Sequence, residues 1–233
     1  MFYFYGFDWT YVVMILPAII FSMWASSRVN GTYKRYSTQY AKSGITAEEA
    51  CRRILDENGC SNVQVIKTAG HLTDHYDPRT NVIRLSDSVY GSTSTAAIGV
   101  ACHEAGHAIQ YAQNYGPIKF RAAIVTATNI GSQLSIPLVL IGLLFSSTSL
   151  AYLGVALFGL CVVFQLVTLP TEYNASSRAI YALEHSTILD SEEVEGSKKV
   201  LNAAALTYVA ALSVSVMQLL RLLMVVGSRS SRD

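Results

Sequence analysis

Charged side chains are scarce in this chain of 233 residues. Asp, Glu, Lys and Arg together make up 14% of it, against 51% hydrophobic residues, whereas soluble proteins average about 25% charged residues. This shortage predicts that lipid forms part of the solvent around the protein. The formal net charge is only +1, so the sequence offers no electrostatic basis for binding nucleic acid.

Cysteine is also sparse, and its four copies are far apart. They fall in separate segments, and no two of them have the CxxC spacing of a thiolate zinc site. Neither such a site nor the disulfide framework of a small secreted domain is predicted. We therefore expect free thiols and a reducing compartment for Cys51, Cys60, Cys102 and Cys161.

Positive charge is missing from the first 27 residues. Residues 3–25 form an apolar run with aromatic residues at its start and Asp8 as its single charge, and the first Lys or Arg is Arg28. A cleaved signal peptide would begin with positive charge, so we interpret residues 1–27 as a retained transmembrane helix with an interfacial aromatic belt.

Residues 28–121 have the composition of a soluble domain and contain eleven Lys or Arg. A capping box, Thr46 followed by Glu49, predicts a helix over residues 47–58. Two β-rich segments, residues 63–66 and 81–85, are separated by turn-forming residues and predict a small sheet or hairpin.

The hydroxyl-rich segment Ser92–Thr95 then predicts the start of an apolar helix over residues 96–114. Two uncharged runs follow, residues 122–145 and 150–169, and a polar turn joins them. Both runs are long enough to cross about 30 Å of hydrocarbon, so they predict a transmembrane hairpin.

A last helix is predicted from a cap at Asp190, with Glu193 at its third position. Residues 201–226 of this helix are apolar except for Arg221, and the sequence leaves open whether it spans the membrane. The predicted segments are thus residues 1–27, 28–121, 122–169 and 170–233.

The helix over residues 96–114 carries the motif His103-Glu104-Ala105-Gly106-His107. Residues i and i+4 lie on one helix face, so His103 and His107 can direct their imidazoles at a single zinc ion. Glu104 projects beside them and can act as the general base and acid of peptide hydrolysis. The motif therefore predicts one catalytic zinc ion per chain.

A third protein ligand is still required. The long zincin signature would place Gly at position 110 and His at 113, and both positions hold Gln. The best-placed carboxylate is Glu172, which follows the third apolar run. The alternatives are Glu184 and His185, and Glu172 itself could instead be a carboxylate that stabilises the N-terminus of a helix.

Three further residues are candidates for binding substrate or stabilising the oxyanion of the transition state. His75 or Tyr76 could donate a hydrogen bond to that oxyanion, with Arg178 as a rival donor, although a polar hairpin tip would explain the first two equally well. His71 and His75 have HxxxH spacing, but they flank turn residues, which disfavours a second metal site. The strand near residues 82–85 is expected to pair with an extended substrate.

Four stretches of the chain resemble the bacterial YugP-type neutral zinc metallopeptidases. They are residues 71–79 (HLTDHYDPR), 103–110 (HEAGHAIQ), 172–176 (EYNAS) and 204–210 (AALTYVA). The resemblance covers nearly the whole chain and implies a gluzincin-like membrane peptidase of the HExxH-plus-Glu kind, distantly similar in layout to the HtpX and Ste24 membrane proteases. Those proteases carry an Asp four residues after the ligand Glu, where this chain has Ser176, so a carboxylate that supports a zinc-binding His cannot be carried over.

The sequence thus predicts a mainly α-helical membrane protein. A zincin-like α+β catalytic domain with a small hairpin or sheet is joined to three or four transmembrane helices. The excess of Lys and Arg in residues 28–121 places the site on the cytoplasmic side of a multi-pass protein of the cell membrane.

The expected reaction is hydrolysis of peptide bonds in membrane or membrane-proximal proteins. The expected partners are the lipid bilayer and a protein or peptide substrate, and oligomers or accessory proteins stay open. A metal-stabilised membrane scaffold without turnover is the alternative. A metal transporter is disfavoured because no ligating His or Glu lies within the apolar runs.

Overall fold

A computed structural model describes residues 3–4, 7–71 and 73–230. The ends of the predicted segments 1–27 and 170–233 therefore lie partly outside the described residues, as does Leu72 of the 71–79 motif. The described chain is mainly helical, which confirms the predicted fold class. Its α-helices are α1 (Leu16–Tyr36), α2 (Ala47–Glu57), α3 (Thr95–Ala112), α4 (Gly116–Leu144), α5 (Thr148–His185) and α6 (Ser191–Ser230), and a short π-helix (Tyr11–Ile15) leads directly into α1. Its strands are β1 (Tyr3–Phe4), β2 (Phe7–Asp8), β3 (Gln64–Thr68), β4 (His75–Asp77) and β5 (Val82–Ser86).

The chain folds into two compact units. The first comprises the described parts of Met1–Ala25 together with Phe120–Leu169 and the described parts of Thr207–Asp233. The second comprises Ser26–Lys119 and Pro170–Leu206. Each of the long helices α1, α5 and α6 contributes residues to both units.

Four helices among the described residues are long and apolar enough to cross a membrane, which lies within the predicted three or four. They cover Tyr11–Tyr36, Gly116–Leu144, Thr148–His185 and Ser191–Ser228. Small residues let α4 and α5 pack closely in the first unit: a Cβ on Gly154 would lie 2.6 Å from the carbonyl oxygen of Ser135. A small apolar core, which includes Val139, Val155 and Leu222, completes this packing.

The second unit contains a three-stranded sheet in the order β3-β5-β4. The two predicted strands exist, but they run parallel to each other, so the alternative of a hairpin between them is wrong. The antiparallel hairpin is formed by β4 and β5, and Asn81 closes its turn with a φ of 57°. Because β5 is hydrogen-bonded on both sides, it has no open edge for a substrate, and the expectation for residues 82–85 is wrong.

Helix α2 begins as predicted after Thr46, whose backbone N–H donates to Oε2 of Glu49 at 3.0 Å. The apolar face of α2 packs against α3, and Ile54 and Leu55 are fully buried in the shared core. Ser94 caps α3 by accepting a hydrogen bond from the amide of Ala97. Helix α3 is buried along most of its length, so a polar side chain on it needs a partner inside the protein. The predicted free thiols are confirmed, and three of them are buried.

Candidate metal centre

Three polar side chains of the motif lie in the middle of the buried helix α3. His103 is half-buried, whereas Glu104 and His107 are buried. The two imidazole rings lie on the same face, with their centroids 4.7 Å apart. The one-turn spacing of the motif therefore brings the two histidines together, as the sequence predicted.

Glu172 reaches this pair from helix α5. Its Oε2 lies 3.2 Å from Nε2 of His103 and 3.4 Å from Nε2 of His107. Within the described residues, these three side chains form the only group of three or more His, Cys, Asp or Glu residues whose ligand atoms all lie within 4.8 Å of one another. Glu184 and His185, the sequence alternatives, are not part of that group.

Glu172 does not stabilise a helix N-terminus. Helix α5 begins at Thr148 and continues through Pro170 to His185, so Glu172 lies in its interior and is 97% buried, with a relative exposure of 3%. A buried carboxylate needs polar or charged partners that compensate for its loss of hydration. The imidazoles of His103 and His107 are those partners.

A glycine lets helices α3 and α5 approach closely enough for this contact. A Cβ placed on Gly106 would lie 2.5 Å from the carbonyl oxygen of Ala175, which is far inside van der Waals contact. Gly106 costs about 1 kcal/mol against Ala in the interior of a helix. The close approach of α5 is the physical reason for its presence between the two histidines.

The Nδ1 atom of each imidazole contacts a polar side chain. Nδ1 of His103 lies 3.0 Å from Oγ of Ser176. Nδ1 of His107 lies 3.0 Å from Oε1 of Gln110. Contacts of this kind orient the ring and select which nitrogen carries the proton.

The orientation of the Gln110 amide is fixed by its other contacts. Its Nε2 donates to the carbonyl oxygen of Thr171 at 2.8 Å and to Oδ1 of Asn174 at 2.9 Å. Arg178, which can only donate, gives its Nε–H to the same Asn174 oxygen at 2.7 Å. Oε1 of Gln110 must then face His107 as an acceptor, so Nδ1 of His107 carries a proton and Nε2 is the nitrogen that faces Glu172.

The charges around His107 favour a positive charge at this place. Burial alone would lower the pKa of His107, but its contact with Glu172 and the charge of Glu104 raise the pKa above its ordinary value. Two imidazole nitrogens and one carboxylate oxygen that converge in a buried place form the donor set of a catalytic zinc site, with a position left for water. The residues present therefore fit a zinc ion.

Glu104 is held by the neighbouring sheet. Its Oε2 accepts a hydrogen bond of 2.9 Å from the backbone N–H of Tyr76 in strand β4. The phenol of Tyr76 takes no part in this contact. It donates to Oδ1 of Asn81 and packs edge-on against Tyr111. Helix α3 and strand β4 together thus position the carboxylate beside the two histidines.

The other predicted substrate residues lie in different surroundings. The exposed ring of His75 contacts the backbone oxygen of Thr73. Arg178 contacts Asn174, Gln113 and the face of Tyr115. None of the described contacts joins His75, the Tyr76 phenol or Arg178 to the two histidines and Glu172, so their role at an oxyanion stays a prediction.

Sequence reasoning missed the amide contact of His107 and the backbone contact of Glu104. Gln110 stands three residues after His107 and so on the same helix face, a signal that could have identified it. The N–H of Tyr76 carried no such signal because a backbone amide is the same in every residue.

Comparisons with known proteins agree with this geometry. Residues 11–227 match the family described as "Putative neutral zinc metallopeptidase". The chain is 45% identical over 215 residues to "Putative membrane protease YugP" of Bacillus subtilis (strain 168), and the alignment covers 92% of this chain and 96% of that protein. No solved structure matches.

Proposed function

The chain belongs to the family described as "Putative neutral zinc metallopeptidase", and on that premise we propose that it is an integral membrane zinc metalloendopeptidase. It hydrolyses peptide bonds of membrane or membrane-proximal proteins. The single observation that carries the proposal is the convergence of two imidazole Nε2 atoms on one oxygen of Glu172, beside a second carboxylic side chain, Glu104.

His103, His107 and Glu172 are the proposed ligands of one zinc ion per chain. The ion, when bound, supplies polarisation of the scissile carbonyl and lowers the pKa of a bound water. Ser176 and Gln110 contact the Nδ1 atoms of the two imidazoles, which would leave both Nε2 atoms to hold the ion. The burial of the cluster limits competing contacts with bulk water.

Glu104 is the proposed general base and acid. It takes a proton from the attacking water and later gives it to the leaving amine. The N–H of Tyr76 fixes the direction of this carboxylate. A structural metal site would have no use for such a base, which is why we favour hydrolysis over a scaffold without turnover.

Strand β4 is the proposed binding edge for an extended substrate, in place of residues 82–85. In the described sheet β4 pairs only with β5, and its Tyr76 N–H already points at Glu104. A peptide that pairs with the outer edge of β4 would pass beside the proposed base. The second unit is proposed to face the cytoplasm, because it holds most of the Lys and Arg.

The test compares two substitutions in the purified full-length protein. Glu104→Gln should retain one zinc ion per chain and lose at least about 100-fold in turnover of a fluorogenic peptide library, as expected for loss of a general base. Glu172→Gln should lose both zinc and turnover. Zinc content is measured by elemental analysis, and Glu195→Gln, an exposed Glu on α6, is the control that should change neither.

Two outcomes would contradict the proposal. Undiminished turnover by Glu104→Gln would exclude its role as the base. A wild-type protein that holds zinc firmly but cleaves no peptide or membrane-protein substrate would favour the metal-stabilised scaffold instead.

A further inference from the structure

A groove with a basic lining lies in the second unit, away from the proposed zinc ligands. It is formed by the last three turns of α1 and the early turns of α6, and its volume is about 650 Å³. Its lining includes Arg28, Gly31, Arg35, Lys199, Asn202 and Leu206. We propose that this basic groove binds the phosphate headgroup of an anionic phospholipid.

The charge of the groove suits an anion. Arg28, Arg35 and Lys199 supply three positive charges, and no Asp or Glu is among the lining residues that the structure describes. Oε1 of Glu195 lies 3.5 Å from Nζ of Lys199 in a pair that is half exposed. Glu192 and Glu195 line a smaller adjoining depression, which shares Arg35, Tyr36 and Lys199 with the groove. An exposed pair of this kind is weak and leaves Lys199 available to a stronger anion.

The position of the groove along α1 points to a lipid as the source of that anion. The apolar part of the first candidate span begins at Tyr11, and the eighteen residues from Tyr11 to Arg28 rise about 27 Å in a helix. That length is close to the thickness of the hydrocarbon layer. Arg28 is therefore expected at the depth of the phosphate groups.

The sequence of helix α6 also places the groove at the border of the membrane. Lys199 and Asn202 stand at the point where α6 changes from the charged segment 192–199 to the apolar run 201–226. Both helices thus present polar lining residues at the border between an apolar run and a charged segment. Ala203, which is buried, and Leu206 add an apolar floor suited to the first carbons of an acyl chain.

The chemistry of the lining residues fits the oxygens of a phosphodiester better than a chloride ion. Guanidinium groups present a planar fork of N–H donors to phosphate oxygens, and an ammonium adds a compact charge. The side-chain amide of Asn202 can donate to the same group. Clusters of Lys and Arg beside a transmembrane helix are typical of anionic lipid recognition.

The experiment uses the purified full-length protein, stripped of lipid in a neutral detergent and titrated with phosphatidylglycerol or phosphatidylcholine. Retained lipid is counted by native mass spectrometry. The groove variant Arg35→Gln/Lys199→Gln is compared with Lys34→Gln/Lys198→Gln, which removes the same two charges from the adjacent residues of the same helices. Lys34 and Lys198 are exposed and are not among the lining residues.

We expect wild type and the Lys34/Lys198 variant to retain phosphatidylglycerol in preference to phosphatidylcholine. The Arg35/Lys199 variant should bind phosphatidylglycerol at least 10-fold more weakly. An equal loss in both variants would mean general attraction to charge and would overturn the proposal, as would an undiminished affinity of the Arg35/Lys199 variant. Displacement of the lipid by inorganic phosphate at an equal concentration would identify a free anion as the ligand and would also overturn it.

A second variant fills the groove without changing its charge. A Cβ on Gly31 would meet no atom within 4 Å, so Gly31→Phe should fold normally, which thermal unfolding checks. It should reduce phosphatidylglycerol binding as strongly as the Arg35/Lys199 variant. Full binding by folded Gly31→Phe would place the lipid elsewhere. Because no proposed zinc ligand lines the groove, peptide turnover in detergent should not change in either groove variant.

Discussion

At the scale of single residues, an amide determines how His107 presents its lone pair. Both hydrogens of the Gln110 amide are used by the Thr171 carbonyl and Asn174, and Asn174 is held in turn by Arg178. Arg178, which can only donate hydrogen bonds, thus determines through Asn174 and Gln110 that Nδ1 of His107 carries a proton. The effect of Arg178 on the site is then one of positioning through Asn174 and Gln110.

Replacement of Gln110 by Met should weaken zinc binding by about 10- to 100-fold, the usual effect of losing an outer partner of a ligand His. Methionine keeps the volume of the buried side chain but accepts no hydrogen bond of comparable strength from Nδ1. Zinc affinity is measured by competition with a chelator, and thermal unfolding of the metal-free protein separates a loss of fold from a loss of affinity. An unchanged zinc affinity in a folded variant would refute the role of Gln110.

The neighbour of the other imidazole offers a change in the opposite direction. Ser176→Asp should strengthen zinc binding, because a carboxylate near Nδ1 of His103 accepts its proton and increases the basicity of Nε2 more than a hydroxyl does. Ser176→Ala should weaken zinc binding. The same chelator competition measures both variants, and a lower affinity in Ser176→Asp than in wild type would contradict this reasoning.

At the scale of secondary structure elements, the distance between α3 and α5 decides whether Glu172 can reach both histidines. The ligand Glu and the two histidines are 65 to 69 residues apart in the chain, and Gly106 gives the two helices room to meet. The stability of this contact and the geometry of the site are therefore coupled.

Gly106→Ala should destabilise the protein by about 1 to 3 kcal/mol, because the added methyl group forces α5 away from α3. Zinc affinity should fall in the same variant as Glu172 moves with α5. The matched control is Gly31→Ala, another Gly inside a helix, where the Cβ meets nothing within 4 Å and the change should leave stability unchanged or raise it. Equal unfolding temperatures for the two variants would argue against the close approach.

At the scale of the whole molecule, the four candidate spans predict an orientation in the membrane. An even number of crossings puts both chain ends on one side, and the Lys and Arg of residues 28–121 place that side outside the cytoplasm. The tail carries Arg229 and Arg232, which the same rule would keep inside. Because residues 28–121 hold eleven Lys or Arg and the tail only two Arg, we propose that residues 28–121 face the cytoplasm.

Single cysteines can test this orientation against a low background, because Cys51, Cys60 and Cys102 are buried. Ser149→Cys, at an exposed position in the first turn of α5, should react with a membrane-impermeant maleimide in intact cells. Ala69→Cys, on the exposed surface of the second unit, should react only after permeabilisation. The reverse pattern would place the proposed zinc site outside the cytoplasm.

The sequence by itself determined the features that depend on neighbouring residues. The i, i+4 spacing placed His103 and His107 on one face, the capping residues marked the start of α2, and the lengths of the apolar runs limited the candidate spans to three or four. It also nominated Glu172, since few carboxylates follow a membrane run so closely. Short-range geometry and composition carry this information, and both can be read along a single chain.

Tertiary structure decided the contacts between distant segments. Only packing shows that β5 lies between β3 and β4, that α5 runs unbroken through Pro170, and that Glu104 is held by a backbone N–H 28 residues earlier. Strand order and helix separation depend on packing interactions between many distant segments of the core. No local sequence pattern specifies the total energy of those interactions, so these features could not be predicted from the sequence.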